Sequence, residues 1–202
     1  MKVFAALLVF ISVIIYVFIF GPVLKVQIKY LSDQTGSIRY VIDSEPYNTF
    51  QKILSPVNTD FSIIIPKIAA TAAVIDEVDP NDPIKYLPAL KKGVAHALGS
   101  ANPGDNGNVY LFAHSADAFY NVPKYNAVFF LLGKLSAGDD IYIYYKDRRF
   151  KYVVDTVKIV NPNEIDYLSG NLDTKTLIIQ TGYPAGTVNK RLIVTANEIG
   201  LQ

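Results

Sequence analysis

The chain has 202 residues, room for one ordinary domain and an N-terminal attachment, and its 19 Lys+Arg against 18 Asp+Glu give a formal charge of +1. That balance lacks the basic face of a nucleic-acid binder and argues against such a partner. Zero cysteine excludes disulfides and thiolate metal sites, and two histidines, His96 and His114, are too few for a histidine-rich metal centre.

Charged residues make up 18% of the chain, below the roughly 25% of an average domain, and 50% are hydrophobic. Much of that skew lies in Val3–Phe20, VFAALLVFISVIIYVFIF, which has Ser12 and Tyr16 as its only polar groups. As a helix the run would span roughly 27 Å, close to the ~30 Å of a bilayer's hydrocarbon core. A cleaved signal peptide would have a shorter apolar region and a small-x-small site, whereas Phe20 leads straight into Gly21-Pro22. Residues 1–21 are therefore expected to be an uncleaved transmembrane helix, a single-pass anchor to the cell membrane.

Residues 22–60 read as a stalk with one possible helix, Val23–Leu31, interrupted by Gly36, and with Pro46 in the polar run Asp43–Phe50. The domain proper is expected over 61–202. Phe61–Ile68, FSIIIPKI, is a strand whose Pro66 marks an edge or bulge, because proline cannot donate a ladder hydrogen bond. Ala73–Val78 is a second strand, closed by the turn residues Asp79–Pro83, and Ile84–Lys92 is a short helix with Leu87 and Leu90 inward. A loop rich in glycine then separates Gly93–His96 from the strand Asn108–His114, which delivers His114 to its C-terminal end. Asp117–Leu135 reads as a loop and a helix, Ala127–Leu135. Asp139–Lys146 and Phe150–Ile159 alternate as a hairpin about the turn Asp147-Arg148-Arg149, and Asn161–Leu168 as one or two helical turns. Thr176–Thr181 and Lys190–Thr195 are β-branched, apolar strands on either side of the turn-rich Gly182–Asn189. Seven or eight strands with few helices make an all-β barrel with small helical insertions.

The last two strands carry a resemblance. A strand ending in Thr181, followed after a short loop by Arg191 and preceded in the chain by His114 at a strand end, resembles the sortases, cysteine transpeptidases that attach surface proteins to bacterial cell walls. The resemblance covers roughly Phe61 to Thr195. It implies a seven- or eight-stranded sortase-like barrel outside the membrane, with the N-terminus in the cytoplasm. The partners it implies are an LPXTG-like sorting-signal peptide and an amine acceptor of the cell wall or a pilin, with no cofactor. His114 would be the acid/base, able to hold a proton near neutral pH and deliver it to a leaving amine. Arg191 would support the oxyanion or the substrate backbone with a fixed, charged fork. Thr181, Ser115 and Tyr183 would lie on the substrate side, and His96, in a segment that recurs ahead of the catalytic strand, would help to shape the groove.

The departure is at residue 182. The family's nucleophilic cysteine is Gly182 here, and no other thiol exists in the chain. Without a thiolate there is no thioester, so covalent catalysis at that position is impossible. Ser115 lies beside His114 on a different strand, and Thr181 points to the opposite face from residue 182, so neither replaces the thiol. Two explanations stay open: a Cys-to-Gly change in an otherwise ordinary sortase, with no turnover, or a natural non-catalytic module that captures sorting signals or cell-wall peptides. A third class, an unrelated tethered barrel with a structural role, would not bring His114, Gly182 and Arg191 together. Asp105, Glu164 and Asp166 are too scattered for a calcium site and read as solvated loop residues.

Overall fold

Period-two alternation governs most of the chain after residue 60. In the computed structural model, which describes residues 2–36, 38–42, 51–115, 128–165, 173–185 and 187–201, it produces strands. Helix α1 (Lys2–Thr35) is followed by β1 (Arg39–Ile42), β2 (Gln51–Leu54), β3 (Phe61–Ile65), β4 (Ala70–Val78), α2 (Pro83–Leu90), β5 (Val94–Ala97) and β6 (Gly107–Phe112). Then come β7 (Asp140–Tyr145), β8 (Arg148–Val160), β9 (Lys175–Tyr183) and β10 (Lys190–Leu201). Eight of the strands close a barrel in the order β10-β8-β7-β3-β4-β5-β6-β9. Its pairings are antiparallel except for β4 with β5, joined through α2, and β6 with β9.

The interior is filled by one face of each strand. Ile141 and Ile143 of β7, Leu111 of β6, Leu177 and Ile179 of β9 and Val194 of β10 are all 0% exposed and belong to one core cluster. Each contributes about 1.5–3 kcal/mol by leaving water. The alternate residues Tyr142 and Tyr144 face outward, where they pack with Ile64 of β3 and with Ile42 and Leu54 of the small parallel sheet formed by β1 and β2. Pro66 does end its strand: β3 stops at Ile65, and Pro66–Ile68 forms a short 3-10 turn.

Several expectations are corrected. Among the described residues no helix is long and apolar enough to cross a membrane, which overturns the expected anchor with its cytoplasmic N-terminus and extracytoplasmic domain. The apolar run is not a segment of its own. It forms the first half of a 34-residue helix that continues through Gly21-Pro22 and gains Lys25, Lys29 and Asp33. Val26 and Tyr30 of its second half pack on the barrel core. Residues 128–135 form a turn and a short 3-10 segment, Leu132–Lys134, in place of the expected helix, whose apolar side chains Phe129 and Leu132 sink into the core without needing a continuous helical face. In α2, Leu90 is buried as expected but Leu87 is 43% exposed, because Ala89 takes the second inward position. The hairpin turn is Lys146-Asp147, both at positive φ (50° and 60°), so β8 begins at Arg148. Residues 43–50, 116–127 and 166–172, and with them Pro46 and Asp166, lie outside the described residues.

Candidate active site

The site is set by register. Arg191 of β10 pairs with Gly182 of β9, so the two positions face the same side of the sheet. On the other flank, Phe112 of β6 pairs with Gln180 of β9. The ladder carries on past the end of β6, with the Ala113 N–H donating to the Gln180 carbonyl at 3.2 Å. Continued by two residues, that register brings His114 level with Gly182. Neighbouring strands lie roughly 4.8 Å apart, so His114, Gly182 and Arg191 occupy one row across three adjacent strands.

Alternation then decides which side they face. Leu177, Ile179 and Thr181 of β9 and Leu192 and Val194 of β10 point into the barrel, where they are buried. Gln180, Gly182 and Arg191 are on the outer face, together with Tyr110 and Phe112 of β6. A cavity of about 280 Å³ opens over this face. Its floor is Tyr110, Phe112 and Gln180; one wall is Tyr86 and Leu90 of α2 with Pro80; the other is Thr187 and Val188 of the β9–β10 loop; and His114, Ser115, Gly182 and Arg191 close the end. The rings of Tyr86 and Phe112 meet edge to face at 6.4 Å, and Tyr110 stacks on Phe112 at 5.9 Å. No carboxylate lines the cavity among the described residues, and Arg191 brings a positive charge to it. A trough that mixes aromatic and aliphatic side chains with polar groups, with one guanidinium and one imidazole at its end, suits an extended peptide whose carbonyls need donors.

Of the residues singled out from sequence, five line this cavity: His114, Ser115, Thr181, Gly182 and Arg191. Thr181 is 2% exposed, and its hydroxyl donates to the Ala113 carbonyl at 2.9 Å, tying β9 to the segment that carries His114. Ser115 is 4% exposed, and its Oγ stands 3.5 Å from where a Cβ on residue 182 would be. The Arg191 Nη1 donates to the carbonyl of Val188 at 3.0 Å and, more weakly, to that of Lys190 at 3.4 Å.

Tyr183 and His96 are not brought to the cavity. Tyr183 is at the tip of β9, beyond Gly182, and 37% exposed. His96 is buried on β5, on the far side of the sheet from the trough, with its ring edge to face with Phe61 at 5.4 Å. Its Nδ1 lies 2.6 Å from Asp76 Oδ1, and its Nε2 lies 3.0 Å from the Ala101 carbonyl and 2.8 Å from Ser100 Oγ. Sequence reasoning passed over Tyr110, Phe112 and Gln180. Period two would have found them, since each lies an even number of residues before His114 or Gly182. Nothing local to His114 or Gly182 signals α2 as a wall, because it arrives from elsewhere in the chain, and the Thr187 carbonyl is set by how the β9–β10 loop folds back.

A family model for the sortase domain matches residues 63–199. Sortase D of Bacillus subtilis (strain 168) is 28% identical over 138 residues, which are 67% of this chain and 61% of that protein, so the chain spans about six tenths of the length of the relative it matches. Among solved structures, a Clostridium perfringens Sortase D5 transpeptidase is 30% identical, with 70% of this chain and 79% of that one covered at a TM-score of 0.57. Sortase A from Corynebacterium diphtheriae is 26% identical, with 71% and 61% covered and a TM-score of 0.58. Sortase C-1 from Actinomyces oris, 24% identical with 71% and 76% covered, is alike in fold, at a TM-score of 0.60.

Proposed function

The chain belongs to the sortase family, and we propose that it binds an LPXTG-like sorting-signal peptide in the trough over β6 and β9 without forming the thioester on which sortase transpeptidation depends. One observation carries the reading. Position 182 pairs with Arg191 and lines, together with Arg191 and His114, a cavity of about 280 Å³, and it carries no side chain. The trough, the guanidinium and the imidazole support capture of a peptide. The covalent step has nothing to start it, because the chain holds no cysteine.

In a sortase with its thiol, His114 would protonate the leaving amine and Arg191 would steady the oxyanion, and an amine of the cell wall or a pilin would resolve the acyl-enzyme. Nucleophile and base act as a unit, so keeping two of the three groups restores almost none of the rate. Binding draws on different groups. The floor of Tyr110, Phe112 and Gln180 holds side chains and Arg191 holds a main-chain carbonyl, and neither needs the thiol.

The test is titration of a fluorescent LPXTG-like peptide with the full chain, in the presence of an amine acceptor. The expected result is saturable binding that a scrambled peptide does not compete, with the mass of the protein unchanged and no transfer product. Absence of binding, or a covalent acyl adduct, overturns the proposal.

A further inference from the structure

Gly182 is packed against its own loop. After β9 the chain folds back, and the N–H and Oγ1 of Thr187 both donate to the carbonyl of Pro184, at 2.9 and 2.8 Å. This aims the carbonyl oxygen of Thr187 at Gly182, so that a Cβ built on residue 182 would fall well inside van der Waals contact with it. The obstruction is backbone, which cannot swing aside as a long side chain can. The next carbonyl, that of Val188, accepts from Arg191 Nη1 at 3.0 Å. Two consecutive main-chain carbonyls thus face the two positions that would meet a substrate carbonyl, the nucleophile's place and the guanidinium.

We infer that the Thr187–Val188 segment is an intrachain occupant of the site. It is a short piece of this chain's own backbone, seated where a bound peptide would place its carbonyls, and glycine at 182 is what lets it sit there. The clash arises at Cβ, which every other residue has, so alanine and cysteine would displace the segment equally. Putting a cysteine back at 182 therefore changes the loop as well as adding a thiol. The inference rests on the peptide-binding reading only for what displaces the segment: an incoming peptide takes Arg191 from the Val188 carbonyl, and apparent affinity is reduced by the fraction of molecules in which the segment is already displaced.

Amide hydrogen exchange on the full chain tests this, with Gly182→Ala to obstruct the segment and Arg191→Met to remove its second hold. Both variants are expected to raise exchange in fragments covering 183–191 on the order of tenfold, with exchange in β7 and β8 unchanged. Gly182→Ala, which keeps Arg191, is also expected to bind the LPXTG-like peptide several-fold more tightly. Unchanged exchange over 183–191 in both variants overturns the inference, and so does an opened segment with no gain in affinity when the wild-type chain binds peptide. If Gly182→Ala fails to fold, Arg191→Met decides by the same exchange measurement. Raised exchange with no peptide bound by any of the proteins keeps the occupant and sinks the peptide-binding reading, so the two failures are distinguishable.

Discussion

The Thr181 hydroxyl donates to the Ala113 carbonyl at 2.9 Å, one residue beyond the end of β6, beside the last ladder bond from Ala113 N–H to the Gln180 carbonyl. A valine there keeps the shape and removes the donor, and a buried carbonyl that loses its partner costs about 1–2 kcal/mol. Thr181→Val should therefore lower the urea midpoint with no change in slope, and it should weaken peptide binding, since Ala113 positions His114. Thr181→Ser should do neither; equal midpoints for all three proteins would deny the hydroxyl this role. At this scale the sequence was legible where order alone suffices: His114, residue 182 and Arg191 come in the order that the resemblance requires, and alternation put Leu192 and Val194 opposite Arg191. His96 was harder. Asp76, His96 and Ser100 are spaced in the structure like a serine triad, but the Ala101 carbonyl at 3.0 Å shares Nε2 with Ser100 Oγ, and His96 is buried away from the trough. The Ser100 hydroxyl also reaches the Ala97 carbonyl, to which it donates at 2.8 Å. A polar residue's partners 5 and 20 positions away leave no mark in its neighbours.

Elements were legible by period and misjudged at their ends. Strands β7 and β8 follow from the alternation of Ile141, Ile143 and Tyr145, but the turn moved to Lys146-Asp147, where the backbone enters the left-handed region without a glycine to announce it. The small sheet of β1 and β2 pairs two four-residue strands in parallel, too short to show a period. The expected anchor ends at residue 21 because the uncharged apolar run ends there, whereas helix α1 continues unbroken through Gly21-Pro22 to Thr35. What holds its C-terminal end is polar. The Tyr40 hydroxyl donates to Asp33 Oδ2 at 2.8 Å, and Lys52 lies 3.6 Å from the other oxygen of that carboxylate. Burial, then the hydrogen bond to Asp33 and its charge, push the Tyr40 phenol up from 10.0 to about 12. A group that holds its proton more tightly when folded adds stability that is complete below the unfolded value and fades as pH climbs to the folded one. The contact between α1 and β1 should accordingly hold below pH 10 and loosen between pH 10 and about 12. Comparing Tyr40→Phe with the wild type across that window, by exchange of amides in 30–42, checks it; a wild type whose local protection falls no further than that of the variant would refute the assignment.

Strand order belongs to the whole molecule, and no local signal encodes it. Barrel closure depends on β6 lying parallel to β9, a pairing of residues 68 positions apart, as Gly107 with Lys175 and Phe112 with Gln180 show. That same pairing makes the site, because it lays the segment carrying His114 beside Gly182, while the crossover from β4 to β5 puts α2 over the trough as its wall. A ligand seated there touches β6, β9, the β9–β10 loop and α2 at once, so its binding should be felt as stability of the barrel rather than of one loop. Peptide at a hundred times its dissociation constant should stabilise the folded chain by about 2.7 kcal/mol, a rise in Tm of roughly 5–10 °C for a chain of this size. A thiol-blocking reagent should leave that rise intact, since there is no cysteine for it to modify. In a sortase that works through its cysteine, the same reagent would strike the site itself. The measurement is a pair of calorimetric scans, with the LPXTG-like peptide and with its scrambled form, each repeated after alkylation. An equal shift from both peptides would mean that the trough does not read the signal. A shift from the LPXTG-like peptide alone, unaltered by alkylation, is what a sortase barrel that binds without its thiol must give.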